Sequence, residues 1–250
     1  MSAARRSLYP AAVPGWLVRE PRSRVLDLAS GNGAFAEMLH REGHEVFAID
    51  RRVEAIAHLP ERLGTRLHVV GQVESLPFLS CHFDVVTASQ TLHRFAPGLA
   101  LTEIARVLRP GGHVGVAYNT RDDTVPWVRR LAALVQQADP NAMTGEYGVK
   151  SLDAVADSPY FVELEHRNFR NWVPITRDGL IAMVQRLPAT AKLDAAVRDA
   201  LLADVGALYD NSARPPEPLL LPYQASCWRA RVDHSSLVLD DDLEGLEIKI

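Results

Sequence analysis

A chain of 250 residues can bury one full hydrophobic core with room for a small second lobe. With 47% hydrophobic and 23% charged residues the composition is that of a globular protein, and a net charge of −4 gives no bulk electrostatic reason to expect a nucleic-acid partner. Cys81 and Cys227 are too few and too far apart for a disulfide framework or a metal cluster, and no run approaches the ~18 apolar residues of a membrane-spanning helix.

The N-terminal "MSAARRSLYPAAVPGW" carries charge but no apolar h-region, so no secretory leader is expected and a reducing, cytoplasmic setting is. From Arg24 to Asn119 two kinds of segment alternate. Short apolar runs end in turn residues: "RVLDLA", "EVFAID", "RLHVVG", "FDVVTAS" and "HVGVAYN". Between them lie stretches with helical spacing, such as "LALTEIARVL", where Leu101, Ile104, Ala105 and Leu108 share a face. This rhythm predicts crossover units and a parallel sheet covered on both sides, hence an α/β fold. "RPGG", Arg109 to Gly112, predicts a helix stop and a turn into the next strand. Beyond Arg121 the spacing predicts helices over "VPWVRRLAALVQQA", over "TRDGLIAMVQRL" with Thr176 as its cap, and over Ala195 to Tyr209. Strands are predicted in "YFVELEHRNFRNWVPI" and "LLLPYQASCWRARV"; Asp233 to Ile250 reads as an acidic tail.

In an open parallel sheet, ligands bind beyond the carboxyl ends of the strands. After the first strand comes Ala29-Ser30-Gly31-Asn32-Gly33, where glycine backbone admits a close ligand and the following helix offers free amides. Asp50 ends the second strand, placed to accept hydrogen bonds from both hydroxyls of a ribose. A Gly-rich turn plus a ribose acid suits two nucleoside cofactors. A dinucleotide brings a pyrophosphate, which a nearby carboxylate repels. S-adenosylmethionine brings an ammonium, which Asp27 on the first strand would attract. Asp27 also has a purely structural reading, as a carboxylate satisfied by loop amides. "GNGAFA" matches the dinucleotide pattern as well, so a nicotinamide-dependent oxidoreductase stays open from these residues alone.

"VLDLASGNGAF", "VFAID", "GQVESLPF", "FDVVTASQTLHRF" and "RVLRPGG" together resemble, in order and spacing, the class I S-adenosylmethionine-dependent methyltransferases. The resemblance is to their small-molecule branch, typified by trans-aconitate-methyltransferase-like proteins with a methyltransferase type 11 domain, and it runs from about Arg6 to Val232. It implies a single Rossmann-like domain: a seven-stranded, mostly parallel sheet with its last strand antiparallel. Residues 24–119 would bind the cofactor, while 1–20 and 120–222 would supply a largely helical lid over the acceptor.

Carried over by position, the resemblance implies that Asp27, Ala29, Gly31, Asn32 and Gly33 hold the methionine end, with Ala29-Ser30 standing where Gly-Cys is usual. Asp50 would clasp the ribose and Arg51 lie beside the adenine. Gln72 replaces an aspartate that faces the adenine amino group, Val73 would offer its amide, and Glu74 follows. Ser89 and Gln90 would meet the ammonium through backbone carbonyl, and Arg6 of "RSLYP" would hold the carboxylate or belong to an unstructured terminus. His93 is either a general base or a structural member of its turn. Asn119, Arg121, Asp122 and Trp127 would face the acceptor, Trp127 alternatively filling core. Tyr147 and Tyr223 would cap the cleft or simply pack.

The expected activity is methyl transfer from S-adenosylmethionine to an oxygen, nitrogen or carboxylate of a small molecule, by a monomer or homodimer with no metal, membrane or nucleic-acid partner. Ser89-Gln90-Thr91-Leu92 occupies the place where nucleic-acid amino-methylating relatives carry Asn/Asp-Pro-Pro-aromatic, which argues against base methylation. A binding module without catalysis on the same fold is the other alternative.

Overall fold

β-branched and aromatic residues bounded by turn formers make the first-half runs into strands. The computed structural model describes residues 9–57, 59–63, 67–138, 140, 148, 150–214, 216 and 218–237. Helix α1 (Ala12–Val18) precedes β1 (Arg24–Leu28), α2 (Ala34–Arg41) and β2 (Glu45–Asp50). Short α3 (Val53–Ile56) and α4 (Leu59–Leu63) lead to β3 (His68–Val70), then β4 (Phe83–Ser89) and a 3-10 turn at Leu92–Arg94. Helix α5 (Pro97–Val107) feeds β5 (Leu108–Arg121), followed by α6 (Pro126–Gln136), α7 (Ser151–Ala156) and β6 (Phe161–Ile175). The chain closes with α8 (Arg177–Gln185), α9 (Pro188–Ala191), α10 (Ala195–Ser212) and β7 (Leu219–Val232).

The sheet has seven strands in the order β3-β2-β1-β4-β5-β7-β6, mostly parallel with the last strand antiparallel, a Rossmann-like arrangement. The order reverses between β1 and β4, which pair in parallel with Leu28 opposite Ala88. That reversal opens a crevice at the carboxyl ends of the two strands. On its other edge β1 pairs β2, with Leu28 opposite Ile49. The segments leaving β1, β2 and β4 therefore emerge side by side.

Two compact units share the chain. The first takes its described residues from 1–119, 148–169 and 225–250, the second from 120–147 and 170–224. In the first, one apolar cluster gathers Leu26, Leu28, Val86, Ile104, Leu152 and Val155, joining α5 and α7 to one face of the sheet. Another gathers Val13, Leu17, Val25, Phe35, Leu39 and Val85, joining α1 and α2 to the opposite face. Alternation along β1 thus sends Leu26 and Leu28 one way and Val25 and Asp27 the other. In the second unit α6, α8 and α10 pack Val128, Leu131, Val184 and Val205 around Ile175 and Leu221. Thr176 caps α8 as expected, its Oγ1 accepting the Gly179 N–H at 3.1 Å.

Three features depart from the sequence reading. Helix α1 forms within the segment assigned to a lid, and it buries Val13, Pro14, Leu17 and Val18; Pro14 lies in the first turn, where its missing N–H costs no bond. Helix α7 forms in a stretch for which no element was predicted. Arg109–Gly112 does follow the helix end, but it lies within β5. Between the pairs Phe83–Leu108 and Val85–His113, β5 advances five residues while β4 advances two, so "RPGG" bulges from the ladder. Gly111 takes φ +80°, a left-handed value that glycine adopts without strain.

Leu26 is fully buried at the centre of the first cluster. Leu26→Ala is expected to lower unfolding free energy by about 2–5 kcal/mol. Urea unfolding of variant and parent checks this; a loss below about 1 kcal/mol would mean that the β1 core is not packed as described.

Candidate functional site

The chain leaves β1 in an unusual conformation. Ala29 takes φ +49°, Gly31 +55° and Gly33 +72°. A left-handed alanine costs about 1–2 kcal/mol, and such outliers persist where surrounding contacts enforce them. Those contacts come from β2: Ser30 donates its N–H to the Ile49 carbonyl at 3.1 Å, and Gly31 donates to Asp50 Oδ2 at 2.9 Å. Gly31 is required by its φ, since a Cβ there would meet nothing nearer than Arg52 Nη2 at 3.7 Å. Gly33 has an added reason, because a Cβ would sit 2.3 Å from Leu59 Cδ2. Asn32 Oδ1 accepts the Ala34 N–H at 3.2 Å at the start of α2.

Asp27 is 1% exposed. Its Oδ1 accepts a 2.9 Å hydrogen bond from Thr87 Oγ1, the residue opposite it on β4, and its Oδ2 has no partner among the described residues. The loop amides do not satisfy it, against the structural reading of this residue. Burial pushes its carboxyl up to about 7; the Thr87 bond opposes the rise and the Asp50 charge adds to it. Leu28, Ala29, Ser30, Phe35, Ser89 and Gln90 join Asp27 around a cavity of about 100 Å³. Gln90 also has positive φ, +62°, so both strands at the reversal end in left-handed residues lining one cavity. Tyr9, just before α1, touches two of the lining residues, Ser89 and Phe35. Its hydroxyl donates to the Ala117 carbonyl at 3.1 Å and accepts from Ser89 Oγ at 3.1 Å, and its ring meets Phe35 edge-on at 5.4 Å.

Asp50 is 4% exposed at the end of β2. Burial raises its pKa, but the N–H of Arg52, the Arg52 side chain and the Gly31 N–H outweigh burial and hold it below the ordinary value. The contacts are Gly31 N at 2.9 Å on Oδ2, with Arg52 N at 2.9 Å and Arg52 Nε at 3.3 Å on Oδ1. Arg52 is thus the partner of the acid, while Arg51 points to solvent as an exposed residue. Gln72 is exposed after β3 and bridges to Ser75; Val73 is buried in the first core cluster. Glu74 accepts the Ala96 N–H at 3.0 Å, so its carboxylate caps α5.

His93 sits outside this cavity, in a second one of about 280 Å³. Its Nδ1 is 3.2 Å from the hydroxyl of buried Tyr118. Asn119 uses its carbonyl to accept Gln90 Nε2 at 3.1 Å. Arg121, Asp122, Trp127 and Tyr223 belong to the second unit. There the Arg121 guanidinium lies 6.0 Å from the Tyr223 ring centroid and donates to Met183 Sδ at 3.6 Å. Asp122 Oδ1 caps its own turn through Thr124, and Trp127 packs on the helical core. Arg6 and Tyr147 lie outside the described residues. Tyr9, Arg52, Thr87 and Tyr118 are the members that sequence reasoning missed. Only Tyr9 carried a signal, through its place in "RSLYP". Among the described residues no group of three or more His, Cys, Asp or Glu could hold a metal, and no helix is long and apolar enough to cross a membrane.

Residues 26–116 match a family model described as a methyltransferase domain. An uncharacterized methyltransferase of Mycobacterium bovis is 36% identical over 136 residues, 54% of this chain and 56% of the relative. A demethylmenaquinone methyltransferase of Beutenbergia cavernae is 35% identical over 128 residues, 51% and 52% of the two chains. The chain therefore spans about half the length of these relatives. A solved structure from Anaeromyxobacter dehalogenans, described as a candidate type II methyltransferase, shares the fold with a TM-score of 0.66 at 22% identity, over 91% of this chain and 98% of that one.

The raised Asp27 carboxyl has a definite sign in stability. Between the ordinary carboxylate range and about pH 7 the unfolded chain has lost this proton and the folded chain keeps it, so the residue's contribution falls as pH rises. Asp27→Asn is expected to gain stability relative to the parent between about pH 4 and pH 8, by up to roughly 4 kcal/mol. Denaturant midpoints across that range check it, and a difference independent of pH contradicts it.

Proposed function

We propose that this chain, whose residues 26–116 match a methyltransferase domain, transfers a methyl group from S-adenosylmethionine to an oxygen, nitrogen or carboxylate of a small molecule. The observation that carries this reading is the Oδ2 of Asp27, which has no partner among the described residues and is buried beside the cavity at the strand-order reversal. A buried carboxyl without a second hydrogen bond is costly unless a cation meets it. An amino-acid ammonium is a small cation with three donors and suits that oxygen. A pyrophosphate does not, because ionised Asp50 would repel it and Asp27 would do so whenever it gives up its proton; this weighs against a nicotinamide cofactor.

The other residues fit the same ligand. Asp50 offers about four acceptor positions, of which Gly31 N and the two Arg52 contacts occupy three. One position on Oδ2 remains for a ribose hydroxyl, and displacement of the exposed Arg52 side chain frees a second. The Gln72 amide oxygen would accept from an adenine amino group without adding charge. When bound, the cofactor supplies a sulfonium whose methyl carbon is already electrophilic. The protein's task is then to hold the acceptor in line and exclude water. Asp27 and the Ser89–Gln90 end of β4 hold the amino-acid portion, and Asp50 fixes the sugar. A reducing compartment suits Cys81 and Cys227, neither of which is in a disulfide.

Calorimetry with S-adenosylhomocysteine and, separately, with NADH tests the proposal. Binding of the first alone is expected, weakened at least about tenfold by Asp50→Ala. Absence of heat with the thioether on folded protein, or an unchanged affinity in the variant, would overturn it.

A further inference from the structure

Strand β4 runs Phe83-Asp84-Val85-Val86-Thr87-Ala88-Ser89, and Thr87 is fully buried in it. Valine would fill nearly the same volume with no polar atom, whereas a buried hydroxyl is costly unless it is hydrogen-bonded. The hydroxyl therefore needs a partner, and strand register supplies one. β1 and β4 pair in parallel with Leu26 opposite Val86, Asp27 opposite Thr87 and Leu28 opposite Ala88. Val25 and Val85, two residues before each of the polar pair, belong to the cluster that joins α1 and α2 to the sheet. The pleat turns Asp27 and Thr87 to that same face, as neighbours.

The Thr87 hydroxyl has one hydrogen. Its acceptors among the described residues are Asp27 Oδ1 at 2.9 Å and the Leu26 carbonyl at 3.4 Å. Only the first lies within the ordinary O–H···O range, so the hydrogen points to Asp27. A β-branched side chain is stiff about χ1, which fixes this donor relative to the strand. An aspartate carboxyl is otherwise loose about its last torsion, and either oxygen could take either place. With Oδ1 held, Oδ2 is the oxygen that has no partner among the described residues. Asp27 lines the cavity with Ser89 and Gln90, whereas Thr87 stands behind it and is not part of the lining. The same bond opposes the rise that burial imposes on the Asp27 pKa. Asp50 on β2 stays ionised and pushes the other way. Burial keeps Tyr9, before α1, and Cys227 of β7 neutral, and Phe35 of α2 does not titrate.

We propose that Thr87 is a positioning residue of the cofactor site: its hydroxyl fixes Asp27 by Oδ1 and so keeps Oδ2 for the ammonium of S-adenosylmethionine. The inference rests on the methyltransferase reading above and adds to it a group that touches no ligand itself. Without the hydroxyl, neither oxygen of the carboxyl would have a partner among the described residues, and the group would keep its proton to higher pH. A protonated carboxyl attracts an ammonium far less than a carboxylate does. Loss of the hydroxyl therefore weakens the amino-acid end of the ligand and leaves the nucleoside end alone.

Calorimetry on the full chain tests this with S-adenosylhomocysteine and with 5′-methylthioadenosine, which has the same nucleoside without the amino-acid end. Thr87→Val keeps the shape and removes the donor, while Thr87→Ser keeps the donor. At pH 7 Thr87→Val is expected to weaken S-adenosylhomocysteine binding at least about fivefold, and Thr87→Ser less than about threefold. 5′-Methylthioadenosine, whose binding also reports folding, is expected to bind the parent and both variants within about twofold. The pH at which S-adenosylhomocysteine affinity rises is expected to lie about one to two units higher in Thr87→Val than in the parent or Thr87→Ser. Should Thr87→Val not fold, Thr87→Cys, whose thiol is a weaker donor, is expected to move the profile the same way by less. If the parent binds S-adenosylhomocysteine and removal of the donor leaves affinity and profile unchanged, Thr87 is not a positioning residue and the methyltransferase reading stands. Equal weakening of both ligands, or no recovery in Thr87→Ser, overturns the assignment in the same way, because lost packing would produce it. Absence of S-adenosylhomocysteine binding by the folded parent overturns the methyltransferase reading, and with it this inference.

Discussion

A carboxyl group kept from water beside a cavity, with one oxygen bonded to Thr87 and the other without a partner among the described residues, is the feature on which the proposed site depends. Its burial follows from strand geometry. Asp27 alternates with Leu26 and Leu28 along β1, so its side chain enters the face packed by α1 and α2. Nothing in that face compensates a negative charge among the described residues. The chain thus bears a cost in stability at neutral pH, and a bound cation would remove it. That cost is what the proposed function gives a purpose, recognition of an ammonium.

The sheet supplies the remainder of the arrangement. Reversal of strand order between β1 and β4 leaves space above both, and the two left-handed residues, Ala29 and Gln90, turn the backbone away from that space on either side. Asp50 braces the first turn from β2 through Gly31 and is itself held ionised by Arg52. The acid that would bind a sugar is therefore also a structural anchor of the loop that would bind the amino-acid end. Changes at Asp50 consequently act on two subsites together, which is why Asp27 gives the cleaner probe.

Much of the fold was legible because parallel strands covered on both faces are continuous apolar runs, and each quoted run became a strand. Helix α1 was not, since Pro14-Gly15 reads as a breaker when the first turn cannot be located from sequence. Helix α7, six residues long, is below the length at which periodicity is visible. In the candidate site, Asp27 and Asp50 stood out because charged residues within or ending apolar strands are costly without a purpose. Thr87 was not, because its role requires the register that sets it opposite Asp27. Arg51 and Arg52 are adjacent, and only the path of the backbone after β2 decides which one meets the acid. Glu74 was read as a ligand group, whereas the chain brings the amide of Ala96 to it, 22 residues away.

The central claim is that Asp27 is a buried acid awaiting a cation, and its own titration tests that most directly. Carbon-13 NMR of the Asp27 carboxyl, assigned by comparison with Asp27→Asn, is expected to show a midpoint near pH 7 in the free protein. Saturating S-adenosylhomocysteine, whose ammonium would meet the carboxylate, is expected to bring it below about pH 5. A midpoint in the ordinary carboxylate range without ligand, or one that the ligand leaves in place, would contradict the account.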